Sequence, residues 1–154
     1  MTSATGSTVP TVYVAHPVTT YGTARERDAL DRISDHVAPA QVIDPATRYG
    51  SNADWLTDWP GLVSTLSCLI VFADTDGTIG AGCLRELTDA WHLGIPVALL
   101  DDQGDFRHVS ILRIVPPRRR TASRTAVAVG GRRFDLSSAL ASSGSAKPMK
   151  GNQS

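Results

Sequence analysis

Two cysteines in 154 residues, Cys68 and Cys83, are too few for a disulfide framework, and both are expected as buried free thiols. No apolar run exceeds the length of a strand, so no segment is expected to span a membrane. The N-terminal stretch MTSATGSTVPT has neither a basic region nor an apolar one, so no secretory leader is expected and the location is read as cytoplasmic. The four histidines and two cysteines are scattered without metal-ligand spacing, so neither a metal nor any other cofactor is expected. A Walker lysine is absent, as is a G-x-S-x-G elbow. Gly80-Ala81-Gly82 is followed by Arg85 where a dinucleotide fingerprint needs a third glycine. What is left for chemistry is carboxylates.

The formal net charge is zero, but it is unevenly spread. Residues 1–116 carry 14 of the 15 acidic residues, and residues 117–154 carry 8 of the 15 basic ones, including the arginines of PPRRR at 116–120. Such a segment can meet phosphates or nucleic acid, although a solvated basic hairpin and tail is the simpler reading. Interleaved aromatics are missing, so nucleic acid is not the expected partner.

What is present is an alternation of strand-like and helix-like segments. TVYVAHPV (11–18) is apolar and β-branched, as a buried strand requires. Thr23 and Glu26 form a T-x-x-E capping box ahead of a helix ending near Pro39. AQVID (40–44) reads as a short strand. NADWLTDWPGLVSTLS (52–67) has helical periodicity interrupted by Pro60, and Trp55 and Trp59 serve either core packing or an oligomer contact. CLIVFAD (68–74) is a central strand, followed by a glycine-rich turn, a helix from Gly82 with Leu84, Leu87 and Trp91 on one face, and the strand IPVALL (95–100). FRHVSILRIV (106–115) is expected as a strand or short helix at a sheet edge, and TAVAVGGRRFDL (125–136) as a hairpin turning at Gly-Gly. The expected class is α/β: a three-layer, open, mainly parallel sheet with helices on both faces, Rossmann-like or flavodoxin-like, with a C-terminal β-hairpin. Residues 11–142 form one domain between disordered ends at 1–10 and 143–154.

Ligands of such sheets bind at the carboxyl ends of the strands. One candidate loop, AHPVTTYGT (15–23), carries His16, Thr19, Thr20 and Tyr21. A second, DTDGTIGAG (74–82), carries Thr78, Gly80 and Gly82 and leads into a helix N-terminus suited to an anion. Glu86 follows within about a turn, where the helix dipole favours its ionised form. It is either a solvated helix residue or a carboxylate aimed at a ligand.

Three of these pieces together resemble a known superfamily. ELTDAWHLGIPVALL, SCLIVFADTDGTIGAG and TVYVAHPV, in their order, resemble the nucleoside 2-deoxyribosyltransferase-like superfamily, whose members include (deoxy)nucleoside 5′-monophosphate N-glycosidases. The resemblance covers residues 11–100. It implies Glu86 as the nucleophile at C1′ and Tyr13 as an active-site tyrosine. It implies Asp58, with Asp54 as its rival, as the acid that positions the sugar or moves a proton. Thr78, Gly80 and Gly82 would hold a phosphate, and the loop of His16, Thr19 and Tyr21 would contact the nucleoside. A homodimer or larger homo-oligomer is expected on the same ground. GAGCLRE sets the glutamate four residues after the second glycine, where the superfamily usually has two; strict spacing would select Leu84. That wider spacing is similar to the G-x-G-T-x-x-E of cytokinin-activating phosphoribohydrolases, with Cys83 in place of the threonine. Both resemblances imply cleavage or transfer at an N-glycosidic bond, and the alternative is a non-catalytic nucleotide-binding or sensing domain of the same fold.

Overall fold

The computed structural model describes residues 9–115 and 124–144, with side chains described for 9–109 and 133–141. Residues 1–8 of the expected disordered N-terminus, PPRRR at 116–120 and residues 145–154 of the expected tail lie outside the described residues. The fold is α/β. Strand β1 (Thr11–Ala15) is followed by a single 3₁₀ turn (Val18–Thr20), helix α1 (Ala24–Val37), β2 (Gln41–Ile43), the short α2 (Pro45–Arg48), α3 (Asn52–Val63), β3 (Cys68–Val71), β4 (Thr78–Gly80), α4 (Ala81–His92), β5 (Val97–Leu100), β6 (Phe106–Val115), β7 (Arg124–Arg133) and α5 (Leu136–Gly144). No helix among the described residues is long and apolar enough to cross a membrane.

The strands form one mixed sheet in the order β2-β1-β3-β5-β6-β7-β4. Its first four strands are parallel, and β6, β7 and β4 are each added antiparallel to their neighbour. The period-2 alternation of strand side chains divides the parallel part between two clusters. Tyr13, Ala15, Leu69, Val71, Val97 and Leu99 pack with Trp59 and Val63 of α3 and Cys83, Leu87 and Ala90 of α4. Val12, Val14, Cys68, Ile70, Ala98 and Leu100 pack instead with Ala29, Ile33 and Val37 of α1 and Leu136. Both strand faces are therefore buried, which is why CLIV reads as an unbroken apolar run.

The helices begin where their caps stand. The Thr23 hydroxyl accepts the Glu26 N–H, and Glu26 reaches back to the N–H of Gly22, one residue earlier than in the usual reciprocal box. Ser51 caps α3 by accepting the Asp54 N–H. Pro60 lies inside α3 without ending it. Gly94 terminates α4 with a φ of 73°, a conformation that costs glycine little.

Four expectations are corrected. Strand β7 runs straight through Gly130 and Gly131, so the hairpin turn expected there is absent; the antiparallel partners are β6 and β7. β6 is an interior strand, since β2 and β4 hold the edges. Helix α5 continues to Gly144, past the boundary expected at 142. Trp91 is 47% exposed, and of the expected α4 stripe only Leu87 is fully buried.

Candidate functional site

β1 and β3 lie side by side, and their following segments diverge, one into the 3₁₀ turn and α1, the other into β4 and α4. A crevice at such a divergence is where open parallel sheets bind ligands. Here it is a cavity of about 370 Å³ walled by His16, Pro17, Tyr21, Tyr49, Trp55 and Glu86, with Ser51, Asn52, Gly82 and Cys83 completing it at the starts of α3 and α4.

Glu86 is 4% exposed. Its position follows from register: Tyr13 points to the α3–α4 side of the sheet, and its hydroxyl donates to Glu86 Oε2. Trp55 Nε1–H donates to the same oxygen at 2.8 Å. Oε1 has no hydrogen-bond partner among the described residues, so one carboxylate oxygen is anchored and the other is left for chemistry. Burial pushes the Glu86 carboxyl up to about 7; the two donors oppose the rise and nearby Asp89 adds to it. The expectation that the helix dipole favours an ionised Glu86 is therefore corrected. As the sixth residue of α4 it lies beyond the first turn, where that field acts, and desolvation outweighs it.

The tyrosines stay neutral. Burial, then the neighbouring Glu86, raises the Tyr13 phenol far above its ordinary value, and burial does the same for Tyr21. Tyr13 is thus a permanent hydrogen-bond donor to the carboxylate. Beneath it lies Trp59, 1% exposed, with ring centroids 4.8 Å apart, tied to α4 through Nε1–H to Asp89 at 2.9 Å.

His16 lines the cavity with its ring, not with a free nitrogen. The ring stacks on Phe72 at 4.7 Å; Nδ1 lies 2.7 Å from Thr20 Oγ1 and Nε2 lies 2.8 Å from Asp44 Oδ1. Tyr21 lines the wall beside it, while Thr19 turns away to donate to Asp74. The second candidate loop is partly a strand. Thr78 is buried in β4 with its hydroxyl on Asp76, Gly80 is the N-cap of α4, and only Gly82 of the three reaches the cavity.

Asp58 does not line the cavity. It binds Arg48 Nε at 2.9 Å and accepts the Tyr49 hydroxyl at 2.7 Å, bonds that hold its carboxyl below the ordinary range. Tyr49, itself in the wall, is pushed up to about 12, first by burial and then by Asp58. Asp54 is exposed at the start of α3 and is likewise outside the wall.

Sequence reasoning missed Trp55 as a Glu86 partner and missed Tyr49. Both follow Asp44-Pro45 at the end of β2, a strand end that is a signal in itself. It also missed that His16, Glu26 and Asp44 converge, since their spacing of 10 and 18 residues fits no ligand motif. Comparison of the chain with known protein families, with curated proteins and with solved structures finds no match.

Proposed function

We propose that the chain cleaves or transfers at the N-glycosidic bond of a nucleoside or nucleoside 5′-monophosphate, with Glu86 as nucleophile. The observation that carries this reading is a buried carboxylate, one oxygen held by Tyr13 and Trp55 and the other without a hydrogen bond among the described residues, in the wall of a cavity at the β1–β3 divergence. Among the described lining residues Glu86 is the only carboxylate. Hydrolysis of sugar–sugar bonds generally uses a pair, one to protonate an alkoxide leaving group. A heterocyclic base delocalises the charge it takes away and needs less acid assistance, so a single carboxylate suits an N-glycoside.

In the proposed sequence Glu86 Oε1 attacks C1′ as the C–N bond breaks with its electron pair going to the base, which takes a proton from solvent. The glycosyl ester on Glu86 is then released by water, giving hydrolysis, or by a second base, giving transfer. Tyr13 and Trp55 stabilise the carboxylate before attack and when it leaves. Tyr49, Tyr21 and Trp55 offer aromatic walls for a base. Gly80, the N-cap of α4, supplies no side chain to the helix's first N–H groups, and Gly82 and Cys83 line the cavity there; this supports room for a 5′-phosphate. Asp58 acts through Tyr49 as a positioning residue.

The same reading takes the architecture as three-layered and flavodoxin-like, supported by the parallel order β2-β1-β3-β5 and the two core clusters. The raised Glu86 favours a second reading, a nucleotide-binding domain in which a protonated Glu86 only ties α4 to β1 and α3. Rapid quenching with a turned-over substrate separates the two. A pentosyl adduct on the peptide containing Glu86 is expected; base release with no adduct on that peptide contradicts a nucleophilic Glu86.

A further inference from the structure

His16 at the end of β1, Glu26 in α1 and Asp44 at the end of β2 present an imidazole nitrogen and two carboxylate oxygens within 4.8 Å of one another. We propose that they form a divalent-cation site, of the Mn²⁺ or Zn²⁺ type, beneath the His16 wall of the cavity.

The hydrogen bonds fix what each atom can offer. The Thr20 hydroxyl donates to the Pro17 carbonyl at 2.6 Å, so toward His16 Nδ1 it is an acceptor and Nδ1–H donates to it. Metal-binding histidines are oriented in this way, by a hydrogen bond from the nitrogen that does not bind. Nε2 then faces Asp44 Oδ1 at 2.8 Å and Glu26 Oε2 at 3.7 Å. A nitrogen lone pair against two carboxylates requires a cation among them.

A proton on Nε2 bridges to Asp44 and leaves the other carboxylate unmatched. Glu26 is 8% exposed; its Oε1 accepts the Gly22 N–H at 2.8 Å, but its Oε2 is buried without a hydrogen-bond partner. An ion touching all three atoms matches it. At about 2.1 Å from each ligand, the usual distance for zinc, the separations of 2.8 and 3.7 Å subtend about 84° and 124° at the ion. Both angles lie near those of common coordination geometries. One nitrogen with two oxygens suits Zn²⁺ or Mn²⁺ better than the all-oxygen preference of Ca²⁺. Glu26 is oriented from behind, through its other oxygen, by the Gly22 N–H, whereas the Ala46 N–H holds Asp44 at Oδ1 itself, at 3.1 Å, leaving that oxygen its second lone pair for the ion.

The ion ties together three segments that shape the cavity, which makes stability and cavity order its expected effects. The test uses the whole chain, stripped with chelator and titrated with Mn²⁺ while the free-ion EPR signal is followed, and with Zn²⁺ by equilibrium dialysis and metal analysis. About one ion per chain and a raised Tm are expected, since a ligand that binds only the folded state stabilises it. Glu26→Gln keeps an oxygen for Gly22, Asp44→Asn keeps one for Ala46, and each is expected to weaken binding at least tenfold, with circular dichroism establishing that the variants fold. Wild type that takes up neither ion overturns the site and leaves a proton on His16. Uptake undiminished in both folded variants overturns it as well, by locating the ion elsewhere.

Discussion

The Tyr13 hydroxyl donates to Glu86 Oε2, joining strand β1 to helix α4 across 73 residues of sequence. Tyr13 is fully buried and cannot ionise in the ordinary range, so the bond fixes the carboxylate from below while Trp55 fixes the same oxygen from α3. Among the described residues the carboxylate is held by one side only. That arrangement is the physical content of the nucleophile assignment, and it makes Glu86 sensitive to changes in either donor.

Glu86→Gln is expected to stabilise the protein at alkaline pH while reducing turnover on the order of 10³-fold. Folding raises the Glu86 carboxyl from its ordinary 4.5 to about 7. The folded state therefore binds the extra proton between these values. Stability from this group is complete below about 4.5 and is lost as pH rises through 7, by about 3 kcal/mol in all. Gln has no proton to lose and its oxygen can accept from both donors. Denaturant midpoints at pH 5 and pH 8.5 test this: the variant's advantage appears at the higher pH and fades at the lower.

Tyr13→Phe removes a bond that lowers the Glu86 carboxyl, so Glu86 becomes harder to ionise. A hydrogen bond to a charged group contributes about 1.5–3 kcal/mol, or one to two pH units. The rising limb of the pH–rate profile, centred near 7 in wild type, is expected to move up by at least about one unit. Activity at pH 6.5 falls roughly tenfold and recovers in large part by pH 9. Trp55→Phe shifts the limb the same way. A uniform loss at every pH would contradict the ionisation account.

Asp58→Asn is expected to change turnover less than about tenfold. An exposed ion pair of this kind contributes about 0–1 kcal/mol to stability, so Tm also stays close to wild type. What the substitution alters is the set of Tyr49 in the cavity wall, which KM reports. A loss approaching that of Glu86→Gln would instead mean that Asp58 reaches the reacting atoms.

Trp59→Ala is expected to cost about 3–5 kcal/mol, the range for deleting a buried aromatic side chain. The ring is 1% exposed, supports Tyr13 and binds Asp89. Equilibrium unfolding measures the loss, and a change under about 1 kcal/mol would contradict the core position.

Local signals in the chain identified most of the parallel sheet. The apolar run from Cys68, the T-x-x-E box at Thr23 and Gly94 at the end of α4 each act through backbone chemistry and needed no distant partner. Residues 74–82 were misread as a loop because β4 is only three residues long and finds its partner in β7, far along the chain. β7 was split at Gly130-Gly131 because a glycine pair ordinarily signals a turn, and pairing with β6 overrides that preference. Of the residues expected in the site, Glu86, His16, Tyr21 and Gly82 line the cavity and Tyr13 binds Glu86. Trp55 and Tyr49 enter the wall, and Glu26 and Asp44 meet His16 behind it, through packing between segments far apart in the sequence. Asp58 came from the resemblance as the nearest acid, and such a match carries no information about Arg48 and Tyr49, which bind it outside the cavity wall.

The central claim is that Glu86 breaks an N-glycosidic bond. The most direct measurement is chromatography of free base after incubating the purified protein with a panel of nucleosides and 5′-monophosphates, with and without a second base, alongside Glu86→Gln. The account predicts base released from at least one member by wild type and not by the variant. Release from no member, with panel members still raising Tm in both proteins, would contradict it and leave a domain that binds nucleotides without cleaving them.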